Sequence, residues 1–319
     1  MQTTTPTTTC PYTQAAAAAS TEAPEETATP LDPADPAFAA DPYPFYARLR
    51  ARGAAVRVPL ANGSHAWMVT GYDQVRAMLS DARFSNVPPA GVGRPKPSPE
   101  QSSAQRARAL LGRHMLNMDP PDHTRLRSLV TATFTPRRVD ALRPRIEEVR
   151  DGLLRQIPRR GTVDLVDAFA FPLPVLVIAE VLGVPPQDRA ALREWTNRVG
   201  APADALPPGA LDEAWASLHD YFRDLIAAKR KAPGEDLFSA LVHSPQGTLD
   251  DDELLAMTFL LLFAGYETTM NLLASAVFLL LTHPEELKEP HWPHIVEETL
   301  RHSSPLECTT WRRAVEDID

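Results

Sequence analysis

The stretch "FLLLFAGYETTMNLL", Phe259–Leu273, decides the fold. An apolar run carries one small pair, Ala264-Gly265, and then a carboxylate and two hydroxyls, Glu267-Thr268-Thr269. Apolar sequence extends from Leu254 to Leu281, longer than the roughly 20 residues that cross a bilayer. A membrane span would leave Glu267 near mid-bilayer, where an ionisable group is costly, and the run has no basic flank of the positive-inside kind. Thr248 and the acids Asp250, Asp251, Asp252 and Glu253 precede it, and Pro284 follows it. Acids at the start match the positive end of a helix dipole. The expectation is no membrane span but a long helix buried as the axis of a large helical protein.

On such a helix Ala264 and Thr268, four apart, share a face. The Thr268 hydroxyl can bond the Ala264 carbonyl and loosen the helix locally, while Glu267 points elsewhere. Two readings stand side by side. In one, Glu267 belongs to an internal ion pair and Ala264-Gly265 permit close helix packing. In the other, a flat ligand lies on the small face, with the alcohol and acid handling protons beside it.

The 319 residues carry a formal net charge of −9, with 44% hydrophobic and 23% charged residues. That is a soluble globular composition with no global attraction to nucleic acid. Two cysteines, Cys10 and Cys308, exclude a disulfide framework and a cysteine-rich zinc site and fit a reducing cytoplasm. Residues 1–40, rich in Thr, Ala and Pro, lack the basic and apolar regions of a secretory signal and read as a disordered leader. Ordered sequence is expected from Asp41, as a single mainly α domain over 41–319 with small β sheets. Its predicted pieces are a helix at "DPYPFYARLRARG", strands flanking the hairpin signal Asn62-Gly63, a helix at "YDQVRAMLSD", and a long loop over 87–105. Further helices are predicted at "DPPDHTRLRSLVTATF", "RRVDALRPRIEEVRDGLLRQI", "FPLPVLVIAEVLGV", "ALREWTNRVG" and "LDEAWASLHDYFRDLIAAKRKA".

Three shorter constellations complete the reading. "DHTRLR" puts His123 and Arg127 on one helix face with Arg125 between them, which reads either as a solvated basic face, the default, or as a site for an anion. "EETLR" puts Glu298 and Arg301 three apart, within pairing reach on a helix, which in isolation is a common surface pair. "TTWRRAVED" reads as a strand with Arg312 and Arg313 on opposite sides.

In this order the pieces resemble the soluble bacterial cytochrome P450 family of haem-thiolate monooxygenases, over most of 41–319. "MDPPDHTRLRSLVTATFTPRRV" is similar to the helix that holds a haem propionate, "AGYETT" to the acid–alcohol motif of the long central helix, "EETLR" to the Glu-x-x-Arg motif, and "TTWRRAVED" to the strand that reaches the other propionate. The resemblance implies that Ala264 and Gly265 lie over the haem, that Thr268 and Glu267 deliver protons to bound oxygen, and that His123, Arg127 and Arg312 hold the propionates. It implies that Glu298 and Arg301 form a buried structural pair. It also implies a small hydrophobic secondary metabolite as substrate, and a ferredoxin-type electron donor docking around Arg125–Arg145.

One departure stands against that match. The family's cysteine ligand lies well beyond its Glu-x-x-Arg helix, in a Gly/Phe-rich loop, whereas this sequence ends at Asp319. Cys308, in "PLECTTW", lacks that context, so no metal ligand is assigned. The expectation is a P450 fold whose C-terminal part is missing. The alternatives to a haem-dependent monooxygenase are a haemless auxiliary protein that activates a partner such as a glycosyltransferase, or an inactive fragment. Without the missing part, an exposed apolar surface is expected.

Overall fold

The structure, a computed structural model, describes residues 35–60, 64–87, 100–110, 113–201, 206–245, 247 and 249–318. The chain forms two compact units. One takes the chain up to Gly93 with Pro202–Asp204 and Arg312–Asp319, and the other takes Arg94–Ala201 and Ala205–Trp311.

In the first unit, helix α1 (Pro36–Ala40) precedes α2 (Tyr43–Arg52). Ordered structure therefore begins before Asp41. The cause is local: Asp35 caps α1 through the Ala37 N–H, and the Phe38 ring packs edge-on against Phe45 and Tyr46 at 5.4 and 5.9 Å. Most of the expected leader and the Asn62-Gly63 turn lie outside the described residues. The strands that turn joins pair antiparallel, β1 (Val56–Pro59) with β2 (His65–Met68), and Val56 and Val58 face the core. After α3 (Tyr72–Ser80), the short strand β3 (Phe84–Ser85) pairs with β4 (Arg313–Ala314), so the strand expected around "TTWRRAVED" is only two residues long.

The second unit is helical. Its helices are α4 (Ser103–Leu110), α5 (Asp122–Thr133), α6 (Pro136–Asp140), α7 (Arg143–Gln156), α8 (Pro172–Val181), α9 (Arg189–Gly200), α10 (Ala210–Lys231), α11 (Leu237–Val242), α12 (Asp251–Thr282) and α13 (Trp292–His302). The end of the expected 87–105 loop is the first turn of α4, while residues 88–99 lie outside the described residues. The amphipathic segment expected as one helix is two, because Pro144 sits in the first turn of α7, where its missing N–H costs nothing. Asp250 starts α12 by a reciprocal capping box with Glu253, which satisfies two otherwise orphaned N–H groups.

The core of this unit forms around the first half of α12. Leu254, Phe259 and Leu262 are almost fully buried against Trp215, Leu218 and Phe222 of α10 and Val175 and Ala179 of α8. The Phe259 ring meets Trp215 at 6.0 Å and Phe222 at 5.7 Å.

Burial stops at Tyr266, which corrects the expectation of a helix buried along its whole length. Beyond it Phe278 is 66% and Leu281 73% exposed, and Trp292, Leu306 and Trp311 are exposed as well. Apolar side chains do stand open to solvent here, as expected. Among the described residues α12 is the one helix long and apolar enough to cross a membrane, but its first half is the hub of a protein core.

Candidate functional site

The change from buried to open falls on the Ala264–Thr269 motif. Tyr266 faces inward, 4% exposed, with its ring edge-on to Phe171 at 5.6 Å. Burial, and then the charge of Glu267, pushes its phenol well above its ordinary range. Ala264 and Glu267 are exposed and Thr268 is partly so. The Thr268 hydroxyl donates to the Ala264 carbonyl at 2.9 Å, and Thr269 does the same to Gly265 at 2.9 Å. Ala264 and Thr268 thus share one open face, as their spacing requires. The Glu267 carboxylate has no hydrogen bond or ion pair among the described residues, so the internal pair weighed from sequence does not form.

Of the two readings weighed from sequence, Gly265 takes the packing one rather than a place over a haem. A Cβ built on it would lie 2.6 Å from Cδ1 of Ile178 on α8. Its missing side chain lets α8 approach α12, and the small open surface belongs to Ala264. Gly265→Ala is expected to destabilise the protein by about 1–3 kcal/mol, as overpacking does. Urea denaturation reads this as a lower midpoint with unchanged slope. An unchanged midpoint would return Gly265 to the open face.

On α5 the three basic residues part company. Arg125 forms an ion pair with Glu253 at the start of α12. The half-buried His123 ring and the exposed Arg127 guanidinium have no hydrogen bond or ion pair among the described residues, which leaves both able to receive an anion. In the first unit, Arg312 is partly buried and its Nε is buried without a partner. Orphaned polar atoms of this kind call for an explanation, and an absent anionic group supplies one.

Glu298 and Arg301 do pair along α13, at 2.6 and 2.7 Å. Their side chains are 60% and 69% exposed, which corrects the expectation of a buried pair: among the described residues nothing covers that face of α13. Cys308 is exposed and outside any disulfide. Among the described residues no group of three His, Cys, Asp or Glu is placed to hold a metal ion.

The residues of the second unit fit one side of a haem: a small-residue surface bearing a hydroxyl, a carboxylate beside it, and the His123 ring and Arg127 guanidinium, which have no hydrogen bond or ion pair among the described residues. Among the described residues Cys308 is the one thiol that could ligate a metal.

Sequence reasoning missed the buried pair of Lys229 and Asp236. Its signal was present in "EDLFS", an Asp three residues before Ser239 at a helix start. The packing role of Gly265 was one of two readings of the sequence, and the position of Ile178 on α8 decides between them.

Comparison with known proteins shows which family the chain resembles. The family model described as Cytochrome P450 matches residues 209–291. Over 292 residues the chain is 45% identical to "Cytochrome P450 monooxygenase PikC" of Streptomyces venezuelae, covering 88% of this chain and 67% of that protein. Over 303 residues it is 38% identical to "6-deoxyerythronolide B hydroxylase" of Saccharopolyspora erythraea, covering 88% of this chain and 72% of that one. The solved structure of the ligand-free P450 monooxygenase TamI matches with a TM-score of 0.76 at 39% identity, over 89% of this chain and 68% of that one.

Proposed function

The chain belongs to the cytochrome P450 family, and from that membership we propose that residues 41–319 carry the oxygen-activating face of a haem-dependent monooxygenase acting on a small hydrophobic secondary metabolite. The observation that carries this is the open Ala264–Thr268 face with the unpaired Glu267 beside it. Haem, when bound, supplies reductive activation of dioxygen and insertion of one oxygen atom into a C–H or C=C bond.

The chain's own residues then have distinct tasks. Ala264 leaves room for a flat group and a small molecule. The Thr268 hydroxyl, its proton parked on the Ala264 carbonyl, keeps lone pairs for a donor and can pass a proton on. Glu267, exposed to water, resupplies it. In the second unit His123 and Arg127 would donate N–H bonds to a propionate, where charge-assisted bonds are strong and directional; in the first unit Arg312, taken by itself, has a buried Nε that a carboxylate would satisfy.

The hydroxylase of S. erythraea is named for 6-deoxyerythronolide B, and a polyketide, macrolide or terpenoid is the substrate class we assign. A ferredoxin-type donor would meet the basic surface of α5 to α7. There Arg127 and Arg137 have no ion-pair partner among the described residues, while Arg125 and Arg145 are occupied by Glu253 and by Glu148 and Glu180. A cytoplasmic location is part of this reading, supported by a composition with only two cysteines, which fits a reducing compartment.

The placement of Cys308 favours a second reading, the haemless auxiliary protein. Supplying the purified chain with haem, reducing it and adding carbon monoxide separates the two. The expected result is haem uptake with an unshifted Soret band, since Cys308 is not set in a ligand loop. A strongly red-shifted band would show a thiolate on the iron and reverse the assignment of Cys308. Failure to take up haem would overturn the monooxygenase reading for this chain in favour of the auxiliary one.

A further inference from the structure

Far from these residues in sequence role, the start of α13 carries two histidines that the monooxygenase reading does not use. His291 is the N-cap of the helix: its Nδ1 accepts the His294 N–H at 3.4 Å. The two rings stand 3.8 Å apart between centroids and are tilted by 37°. Both residues are exposed, neither has any other side-chain partner among the described residues, and Trp292 between them is 54% exposed.

We propose that His291 and His294 form a two-imidazole chelate for a divalent transition metal ion, copper(II) foremost, stapling the first turn of α13. Two metal–nitrogen bonds of ~2.0–2.1 Å meeting at a tetrahedral or square angle put their nitrogens about 3 Å apart. Because each ring must aim an in-plane lone pair at the ion, chelation requires the two closely set rings to swing apart about their side-chain bonds, which the exposure of both residues allows. The cap bond is long and is cheaply given up, so His291 is free to change tautomer and present a lone pair to the ion. Imidazole suits copper, nickel and zinc, and copper(II) binds tightest among them. Among the described residues no third His, Cys, Asp or Glu completes a cluster, so water would fill the other positions and the site is open. This inference is independent of haem.

The test is titration of the full chain with copper(II) chloride, followed by tryptophan fluorescence. The parent is expected to show saturable quenching at one equivalent, because the ion sits beside the Trp292 indole. H294A and H291N should each lose that phase. H291N keeps a side-chain acceptor at the N-cap, so its circular dichroism should match the parent and its loss of quenching cannot be assigned to unfolding. W292F should keep one equivalent by calorimetry while losing most of the quench. No saturable phase in the parent, or the same midpoint in H294A and H291N, overturns the proposal.

Discussion

Replacing Asp236 by alanine is expected to lower stability by roughly 3–5 kcal/mol, the cost of leaving one member of a buried ion pair alone. The Lys229 and Asp236 side chains are only 11% and 10% exposed. Asp236 joins the last turn of α10 to the start of α11. It holds the Lys229 ammonium, accepts the Ser239 N–H at 2.7 Å and accepts the Ser239 hydroxyl at 2.9 Å. Ser239 in turn accepts the Gly234 N–H at 2.9 Å. Gly183, at φ +61°, closes the pocket: a Cβ there would fall 2.2 Å from Lys229 Nζ and 2.4 Å from the Asp236 carboxyl.

Asp236→Asn, which keeps the cap, should lose most of the same stability, because the ammonium stays buried without its counter-charge. A midpoint shift in urea corresponding to less than ~1 kcal/mol for Asp236→Ala would refute the account. The pair also sets a pH dependence. Burial pushes the Asp236 carboxyl up, but the Lys229 and Ser239 hydrogen bonds and the Lys229 charge together hold it below its ordinary value. Its stabilisation is therefore complete above the ordinary carboxylate range. It is lost as pH falls through that range toward the lower folded value.

The long helix shows what sequence can and cannot carry. Its start was legible, because Asp250 and Glu253 satisfy N–H groups by local chemistry. Its back-bonded Thr268 was legible, because the i to i−4 spacing fixes the contact. The place where burial ends was not. Leu255 and Leu281 are the same residue type on one continuous helix, yet one is 4% and the other 73% exposed. Only the position of α8 and α10 along the axis decides that.

Pairing choices were lost for the same reason. Arg125 and Arg127 are alike in sequence, and which of them meets Glu253 depends on where α5 crosses the start of α12. Glu298 and Arg301 paired as their spacing required, but their exposure rests on what covers α13. Contacts within one turn are set by the chain itself, whereas contacts between elements wait for packing.

That division on α5 leads to the sharpest functional expectation. Removing the side chain of His123 or of Arg127 should weaken haem binding by about tenfold to a hundredfold each, the worth of a charge-assisted hydrogen bond of ~1.5–3 kcal/mol. The double variant should lose less than the product, since two donors on one face meeting one carboxylate share its desolvation. Arg127→Lys should recover only part of the loss, because an ammonium keeps the charge but not the planar fork. Arg125→Ala is the informative contrast. It breaks the tie to Glu253 and should lower the melting temperature while leaving haem affinity near the parent value. Titration of haem into each variant measures this without turnover. If Arg125→Ala weakens haem as much as Arg127→Ala, the surface acts as a diffuse basic field and His123 and Arg127 hold no propionate. If the five variants differ as described, His123 and Arg127, which have no ion pair among the described residues, are the groups on α5 that receive the anion.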